Sequence, residues 1–501
     1  MNILSINSGS SSVKFAYFKY IRKTSKIIYC KNIKNKNCIN KTKTNSNHNK
    51  KEASSKNILA NQSKLLSLNR LYDGEIEEIG TPFSSYSYEH TNGKESGKIN
   101  FKNHHSAISF IINELIHKNL NKDEKIDIVV HRFVHGGNLF IEPLVISNVI
   151  SNKNLKNKKY NYNNKHTNYK SFNSHSINSA NNIKNGDTEI IMTDNEIYLN
   201  FPDIKKLSQL NELAPLHNPS NLLGLQTAIK LIPEAAEVCI FDTSFHSTIP
   251  DYASIYPLPI EYYKKYGIKK YGFHGISYAF ISNILKLSGY NFQKMILCHL
   301  GNGASIAAVK NGKSIDTSMG YTPLEGLMMG TRTGDIDSSL FFILKNKLKL
   351  SEEELYNIYN KKSGLLGISQ KTYDVKELLN NSDYNSKLAI KMFCYRIIKY
   401  IGAYSAALNG IDALIFSGGI GENSSFVRQE VCNNLSYLGI KLNKSKNSGA
   451  AKIFNNSSKL KTLNLENSII KINSGKTTVM AVKTDEELMM AENALKILKI
   501  N

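Results

Sequence analysis

The sequence predicts an α/β protein built from two similar halves. Three apolar strands lead directly into short turns that are rich in glycine or serine, and polar side chains follow at similar offsets. Helical stretches separate these units, which is the alternation typical of an α/β sheet. The three units read NILSINSGSSSVKFAYF at 2–18, MILCHLGNGASIAA at 295–308 and IDALIFSGGIGENS at 411–424.

The strands end where chemically reactive side chains begin. Open α/β sheets bind their ligands just beyond such strand ends. We therefore expect a ligand site that several strand ends share, and turns of this kind favour a nucleotide held from several sides. The predicted strands are Ile3–Ile6, Val13–Phe18, Ile126–Val130, Glu237–Phe241, Met295–His299 and Ala413–Phe416.

Helical stretches lie between and after the strands. The last stretch follows Thr484, and a capping threonine followed by acidic residues suits a helix N-terminus. The predicted helices are Ala107–Lys118, Asn221–Leu231, Glu352–Lys361, Ser386–Leu408 and Asp485–Lys499.

Length and composition narrow the class of protein. A chain of 501 residues predicts two or more domains. The sequence has no apolar run of about 18 residues, so no membrane span is expected, and its first residues do not resemble a signal peptide. Six scattered cysteines without CxxC pairs are typical of a reduced, cytoplasmic protein and argue against a disulfide frame or a zinc site.

Most of the net charge of +23 comes from two segments, 22–68 and 153–186. The first holds 12 basic residues and one acid, and the second holds seven lysines and no acid, which together give +18. Both are rich in Asn, Lys and Ser and poor in bulky apolar residues, so we predict disordered insertions. Solvated loops are favoured over an arm that binds nucleic acid or a membrane surface, although Tyr160, Tyr162 and Tyr169 lie in the second segment.

Two arginines and a serine-rich turn suggest anion binding. The turn at 7–12 offers backbone donors and hydroxyls before Lys14, which is what a phosphate requires, although a plain hairpin turn has the same composition. Arg132, in HRFVHGG, follows a strand and can present its planar fork to a carboxylate or phosphate. Arg332, in MMGTRTGDID, can stabilise charge on a transferring phosphoryl group. A surface salt bridge is the alternative for a lone arginine.

Acidic and imidazole side chains follow other strands. Asp242, in FDTSFH, with His217 and His246 nearby in sequence, could orient a substrate, but a lone aspartate there is more often a cap. His274, in YGFHGIS, lies between small residues, where a structural histidine is the usual alternative.

The motifs are decisive as an ordered set. The chain carries, in this order, NSGSSSVKF, HRFVHGG, APLHNP, FDTSFH, YGFHGIS, HLGNGASI, DTSMGYTPLEGLMMGTRTGDID, SGGIGENS and TDEEL. With this ordered set, the chain outside the two insertions resembles the acetate kinase family. The resemblance implies two actin-like ATPase (ribonuclease H-like) domains around a cleft, and reversible transfer of the γ-phosphoryl group of ATP to acetate. It also implies a divalent cation, Mg²⁺ or alternatively Mn²⁺, and a homodimer. The expected domains are 1–247 with 481–501, and 248–480.

The resemblance assigns roles residue by residue. Asn7 and Glu486 match the metal ligands, and Arg132 matches the residue that holds acetate. Asp242 positions the acceptor, while His274 and Arg332 stabilise charge on the transferring group. The pocket for the acetate methyl group is expected from Val134, Leu216, Phe273 and Pro323. The nucleotide contacts match Ser12, Lys14, His299, Leu300, Gly301, Asn302, Gly303, Asp374, Val375, Lys376, Gly419, Ile420, Gly421, Glu422 and Asn423.

The chain departs from the family pattern at a few positions. Ile276 and Tyr278 replace a threonine and a histidine, and Phe133 replaces a valine. Lys376 stands where arginine is common, which leaves the purine preference open. Val134 leaves less room than alanine, which favours acetate. The alternatives are a propionate or butyrate kinase on the same scaffold, and a weakly catalytic nucleotide-binding protein whose basic loops bind nucleic acid.

Overall fold

The computed structural model describes residues 1–21, 67–121, 123–147, 202–456, 460 and 462–500, and the backbone of three short strands between residues 181 and 199. In chain order, the first eleven strands are β1 (Asn2–Ser8), β2 (Val13–Tyr20), β3 (Leu68–Glu77), β4 (Ser85–His90), β5 (Gly93–Lys98), β6 (Ile128–Phe133), β7 (Leu144–Ser147), β8 (Asn181–Asn185), β9 (Thr188–Met192), β10 (Ile197–Leu199) and β11 (Ala236–Phe241).

Eight of these strands form the first sheet, in the order β5-β4-β3-β2-β1-β6-β11-β7. Strand β1 is antiparallel to β2 and parallel to β6, and β6 is parallel to β11. The strands β8, β9 and β10 form a small separate antiparallel sheet. The carboxyl ends of β1, β6 and β11 therefore lie along one edge of the first sheet.

A second large sheet repeats this arrangement with the later strands. Its order is β14-β13-β12-β15-β17-β16, and β12 is antiparallel to β13 and parallel to β15. The two similar halves that the sequence predicts are thus confirmed. These strands are β12 (Lys294–Leu300), β13 (Ala304–Lys310), β14 (Lys313–Thr317), β15 (Ala413–Ser417), β16 (Ile469–Lys471) and β17 (Thr478–Val482).

The helices include all five predicted stretches, with bounds that differ from the prediction by a few residues. They are α1 (His104–Phe110), α2 (Pro202–Gln209), α3 (Asn218–Leu231), α4 (Asp251–Ser254), α5 (Ile260–Tyr266), α6 (Gly275–Leu287), α7 (Leu340–Leu348), α8 (Glu352–Lys361), α9 (Gly364–Ser369), α10 (Val375–Asn380), α11 (Tyr384–Ala407), α12 (Gly418–Asn423), α13 (Ser425–Asn433), α14 (Lys444–Asn456), α15 (Leu465–Ser468) and α16 (Glu486–Ile497).

Two helix ends differ from the prediction. The predicted helix Ala107–Lys118 begins earlier, because Asn103 caps α1, and it continues as a π-helical turn at Ile111–Ile116. The last helix is capped by Asp485, which accepts a hydrogen bond from the Leu488 amide at 3.0 Å, and not by Thr484. The Thr484 hydroxyl instead bonds to a neighbouring helix, so the helix begins one residue later.

Helices α6 and α16 join the two sheets through one apolar core. Their buried side chains pack with Ile3 and Val130 of the first sheet and with Leu297 and Ile415 of the second. The burial of such side chains is the main force that stabilises this arrangement. It also fixes the start of α16 beside the ends of the central strands of the first sheet.

The two predicted insertions fall mainly outside the described residues. Of the segment 22–68, only Ser67 and Leu68 are described, and both are buried where β3 begins, so the sheet starts before the predicted boundary. Of the segment 153–186, only β8 is described, and disorder was the wrong prediction there. Among the described residues, no helix combines the length and the apolar composition needed to cross a bilayer.

Candidate active site

Arg132 and Asp242 meet at the carboxyl ends of two neighbouring parallel strands. Arg132 lies near the end of β6, and Asp242 directly follows β11. The Arg132 Nε donates to Asp242 Oδ2 at 3.0 Å, and Nη2 donates to the same oxygen. Asp242 is completely buried. Burial and the nearby Glu486 raise the pKa of Asp242, while the Arg132 charge opposes that rise.

Asn7 connects this ion pair to the start of the last helix. Arg132 Nη1 donates to Asn7 Oδ1 at 2.9 Å, and Asn7 Nδ2 donates to Glu486 Oε2 at 3.3 Å. The Ser277 hydroxyl donates to the other Glu486 oxygen at 2.5 Å. Burial raises the pKa of Glu486, but the charge of Arg132 and the hydrogen bonds outweigh it, so the net shift is downward. The carboxylate at this point is therefore ionised.

An amide oxygen and a carboxylate are hard oxygen donors of the kind that Mg²⁺ prefers. The described residues contain no group of three or more His, Cys, Asp or Glu side chains that could hold a metal. Asn7 and Glu486 nevertheless suit Mg²⁺, which is commonly held by one or two protein oxygens with waters and phosphate oxygens. The fold brings these two side chains together from opposite ends of the chain, so that both could bind one cation.

His274 and Arg332 converge on the turn after β12. His274 has a left-handed backbone with φ of 58° before α6, and its Nδ1 is 2.8 Å from Ser305 Oγ. A Cβ added at Gly303 would lie 3.4 Å from His274 Nε2 and 3.6 Å from Arg332 Nη1. The missing side chain of Gly303 thus leaves a space that both groups face.

The imidazole of His274 is neutral in this environment. Its ring centroid lies 4.4 Å from that of His299. Burial, followed by the influence of His299 and of both arginines, lowers the pKa of His274 well below its ordinary value. A neutral imidazole at this position acts as a hydrogen-bonding group and not as a fixed cation.

Arg332 differs from Arg132 in its partners. Its Nη1 donates to the Pro323 carbonyl at 3.2 Å and lies 3.8 Å from Met329 Sδ. In the described part of the chain it forms no ion pair with a carboxylate. Burial and the Arg132 charge lower the pKa of Arg332. A desolvated guanidinium of this kind is ready to bind an anion.

His217 belongs to the same cluster, although it is not among the residues to which the family resemblance assigns a role. Burial, together with the charges of Arg332 and Arg132, lowers the pKa of His217 to about 3. The positive charges of both arginines therefore disfavour protonation of His217. Its motif APLHNP was the signal that pointed to it. His246, in contrast, contacts Ser314 Oγ at 2.8 Å and the Phe273 carbonyl at 2.9 Å, so both of its ring nitrogens have partners within the fold.

The residues of the predicted methyl pocket lie beside these charged groups. Val134 and Phe273 are buried in one apolar cluster. Pro323 contacts Arg332 through its carbonyl group. Leu216 is partly exposed and directly precedes His217. An apolar surface therefore adjoins the arginine cluster.

The two glycine-rich turns of the second sheet lie next to each other. Strand β12 ends at His299 and Leu300, and His299 pairs with Ser417 of the parallel strand β15. The turn at Gly301–Gly303 is closed by a bond from the Gly301 amide to the Gly303 carbonyl at 3.1 Å. The residues predicted as a second loop, Gly419–Asn423, lie in the short helix α12. Both elements thus face the same end of the sheet.

The remaining predicted nucleotide residues lie on other elements. The turn before β2 is closed by the Gly9 amide and the Ser12 carbonyl at 2.7 Å, and the exposed Lys14 follows. The Lys14 charge contributes to the lowered pKa of Glu486. Asp374 caps α10 through the Lys376 amide at 2.7 Å, and the Val375 side chain is buried, so Val375 can offer only its backbone.

A chain of hydrogen bonds unites these parts. The Glu422 carboxylate accepts from the amides of Gly418 and Thr484, each at 3.0 Å. The Thr484 hydroxyl donates to Ser277 Oγ at 3.1 Å, and Ser277 donates to Glu486. The sequence alone does not identify Ser277 and Thr484 as connecting residues, because only the folded chain brings them together.

Comparison with known proteins gives a consistent family assignment. The model of the acetokinase family matches residues 53–193 and 188–492. The acetate kinase of Thermotoga maritima is 38% identical over 439 residues, which is 86% of this chain and 93% of that protein.

Two solved structures are similar over almost their whole length. The crystal structure of Porphyromonas gingivalis acetate kinase has a TM-score of 0.70 and 31% identity, and the match covers 99% of both chains. A propionate kinase from Francisella tularensis has a TM-score of 0.70 and 30% identity, with 98% of both chains covered. On these matches, and on the motifs assembled in its cleft, the chain belongs to the acetokinase family.

Proposed function

We propose that the protein transfers the γ-phosphoryl group of ATP to acetate, reversibly, and gives acetyl phosphate and ADP. One observation carries this assignment: Arg132, held by Asp242 and Asn7, lies in the same cluster as Arg332, which faces the space beside Gly303, and the charges of both arginines act on His217. One arginine is ion-paired and the other is free of a carboxylate partner among the described residues. Such a pair suits an acceptor anion and a transferring anion side by side.

The acceptor needs no strong base, because acetate is already an anion. Arg132 would hold its carboxylate, with Asp242 fixing the arginine fork in place. Arg332, with the neutral imidazoles of His274 and His217, would stabilise charge on the transferring group. Catalysis then rests on alignment and electrostatic stabilisation, which are the principal contributions to phosphoryl transfer.

Asn7 and Glu486 would hold a divalent cation, Mg²⁺ or Mn²⁺. When bound, the cation neutralises charge on the phosphate oxygens of the nucleotide. The turn before Lys14, the turn Gly301–Gly303 and helix α12 would surround the nucleotide. Asp374 and Lys376 would contact its adenosine part.

Acetate is favoured over larger acids by the size of the pocket. Val134 follows Arg132 by two positions, is 5% exposed and belongs to the same buried cluster as Phe273, and valine leaves less room for the acceptor than alanine would. One additional methylene changes binding by about 1–3 kcal/mol. Propionate is the second candidate, since one of the similar structures is a propionate kinase, and butyrate is less favoured still.

We also propose a cytoplasmic homodimer. The four described cysteines are free and buried, which suits a reducing compartment. Helix α7 contains no buried residue and exposes Phe342, Ile343 and Leu348, so it offers an apolar face to a second copy. The proposed domains are 1–247 with 481–501, and 248–480; the first sheet lies in the former and the second sheet in the latter, except for the last two residues of β17 (Thr478–Val482), which fall beyond the boundary.

The test is the rate of acyl phosphate formation from Mg·ATP with acetate, propionate and butyrate in parallel. We expect acetate to be the best acceptor. A preference for propionate would keep the reaction and overturn the pocket assignment. No reaction with any of the three acids, together with tight nucleotide binding, would favour the weakly catalytic alternative. Salt-dependent binding to nucleic acid, lost when residues 153–186 are deleted, would then identify the basic segments as the functional part.

A further inference from the structure

A buried arginine outside the motifs lies behind the proposed metal site. Arg70 is only 3% exposed and lies on β3, opposite Phe18 of β2. Its Nη1 donates to Asp73 and its Nη2 donates to Asp485, and the guanidinium lies 4.9 Å from the centroid of the Phe18 ring. Nothing in the sequence motifs singles out this residue.

The backbone directs Arg70 at the last helix. The pairing of β2 with β3 shifts register between Tyr17 and Phe18, so that Tyr17 faces Tyr72 and Phe18 faces Arg70. A bulge of this kind re-aims a side chain and is common next to active sites. Here the shift brings a cation of the first sheet against the N-terminus of α16.

The contact with Asp485 affects the first residue of that helix. The Asp485 oxygen that accepts from Arg70 also accepts from the Leu488 amide, so it caps α16. Glu486 is the next residue and begins the helix. Loss of the arginine would leave two carboxylates, Asp73 and Asp485, without their shared cation, and the capping geometry would relax.

We infer that Arg70 is a positioning residue that holds Asp485, and through it the Glu486 carboxylate, in the geometry needed for the divalent cation. The inference rests on the metal role proposed for Glu486. Partners behind a metal ligand generally matter, because they orient the ligand, and their loss typically costs about 10–100-fold in metal affinity or activity.

The test compares Arg70→Met, Arg70→Lys and a control, Lys19→Met. The control removes the Lys19–Glu124 ion pair on the adjacent strand β2 without touching α16. Binding of Mn²⁺ in the presence of ADP is followed by water proton relaxation, and thermal melting checks the fold. The Mg²⁺ dependence of the rate gives the KM for Mg²⁺ and kcat separately.

We expect Arg70→Met to weaken Mn²⁺ binding and to raise the KM for Mg²⁺ by about tenfold or more, with kcat at saturating Mg²⁺ reduced less than threefold. Arg70→Lys should recover part of the affinity, because an ammonium can still pair with Asp485, and Lys19→Met should match the wild type. A folded Arg70→Met protein with wild-type Mn²⁺ affinity would overturn the inference.

Two further outcomes are decisive. If Arg70→Met does not fold, Asp485→Asn replaces it, because asparagine retains the cap but removes the charge. Weakened Mn²⁺ binding in Asp485→Asn would support the inference, and unchanged binding would overturn it. If the wild type binds no Mn²⁺ with ADP, the proposed metal site is wrong and the role of Arg70 falls with it. Equal binding by the wild type and the variants would overturn the role of Arg70 alone.

Discussion

Replacing each active-site arginine by methionine should separate catalysis from stability. Arg332 forms no ion pair with a described carboxylate, and burial lowers its pKa. Its removal therefore takes away a desolvated charge at little structural cost. Arg132, in contrast, is paired with the completely buried Asp242. Removing one partner of a buried ion pair typically costs about 3–5 kcal/mol, because the other charge stays buried and unpaired.

The expected rates follow from the proposed roles. An arginine that stabilises the transferring phosphoryl group is worth about a thousandfold in kcat, which corresponds to about 4 kcal/mol of transition-state stabilisation. Arg332→Met should lose that factor while the KM for acetate and the melting temperature change little. Arg132→Met should raise the KM for acetate strongly and lower the melting temperature.

The assay pairs steady-state acetyl phosphate formation with urea unfolding of both variants. Lys118→Met, at the exposed Lys118–Glu114 pair, is the control for loss of a surface cation. If Arg332→Met destabilises the fold as much as Arg132→Met, Arg332 is a structural residue and the proposed division of roles is refuted. An unchanged kcat in Arg332→Met would refute its catalytic role directly.

Three other predictions concern the pocket, a turn and the buried histidines. Val134→Ala should raise kcat/KM for propionate relative to acetate by about 10–200-fold, and an unchanged ratio would show that Val134 does not line the pocket. Gly418→Ala should lower the free energy of unfolding by about 1–3 kcal/mol and raise the KM for ATP. The cause is backbone strain, because φ at Gly418 is 75° and the new Cβ would lie 2.7 Å from the Leu300 carbonyl oxygen. A variant as stable as the wild type would contradict this reasoning. Burial lowers the pKa of His135 and His246 to about 4 and that of His217 to about 3, so these three side chains alone take up as many as three protons when the protein unfolds below pH 6.5. These histidines should make the fold less stable as pH falls from 6.5 towards 4, by about 4 kcal/mol per pH unit at most. When the free energy of unfolding in urea is measured across this range, its pH dependence should be smaller by one proton in His246→Gln than in the wild type. An identical slope in the two proteins would refute the assignment.

The sequence predicted what depends on local pattern. Each predicted strand is present, and Arg132 and Asp242 lie together as expected of residues beyond neighbouring parallel strands. The motif residues Asn7 and Glu486 also meet, although 479 positions separate them. Here the resemblance to a family supplied what periodicity alone could not, because nothing local relates the two ends of the chain.

What the sequence missed depends on contacts between distant segments. The cap of α16 was predicted one residue too early, because Thr484 bonds to Ser277 of another helix. Arg70 lies two residues beyond a segment that is predicted to be disordered, and only the register shift between β2 and β3 shows where its side chain points. A charged residue in a polar stretch is ordinarily solvated, so its burial follows from the fold and not from composition.

The hydrogen bonds around Ser277 connect the residues proposed for the nucleotide with those proposed for the acceptor. Glu422 holds the start of α12 and the Thr484 amide together, and Thr484 bonds to Ser277. Ser277 then bonds to Glu486, which is joined through Asn7 to Arg132.

Residues in one such network are not expected to behave additively. Removal of the Ser277 hydroxyl would leave Glu486 with one fewer donor and the Thr484 hydroxyl without its acceptor, so it should perturb the proposed metal site and the proposed nucleotide site together. The residues proposed for the cation, the nucleotide and the acid are therefore physically connected in this chain. The Glu486 carboxylate is joined on one side through Ser277 and Thr484 to helix α12, and on the other through Asn7 to Arg132.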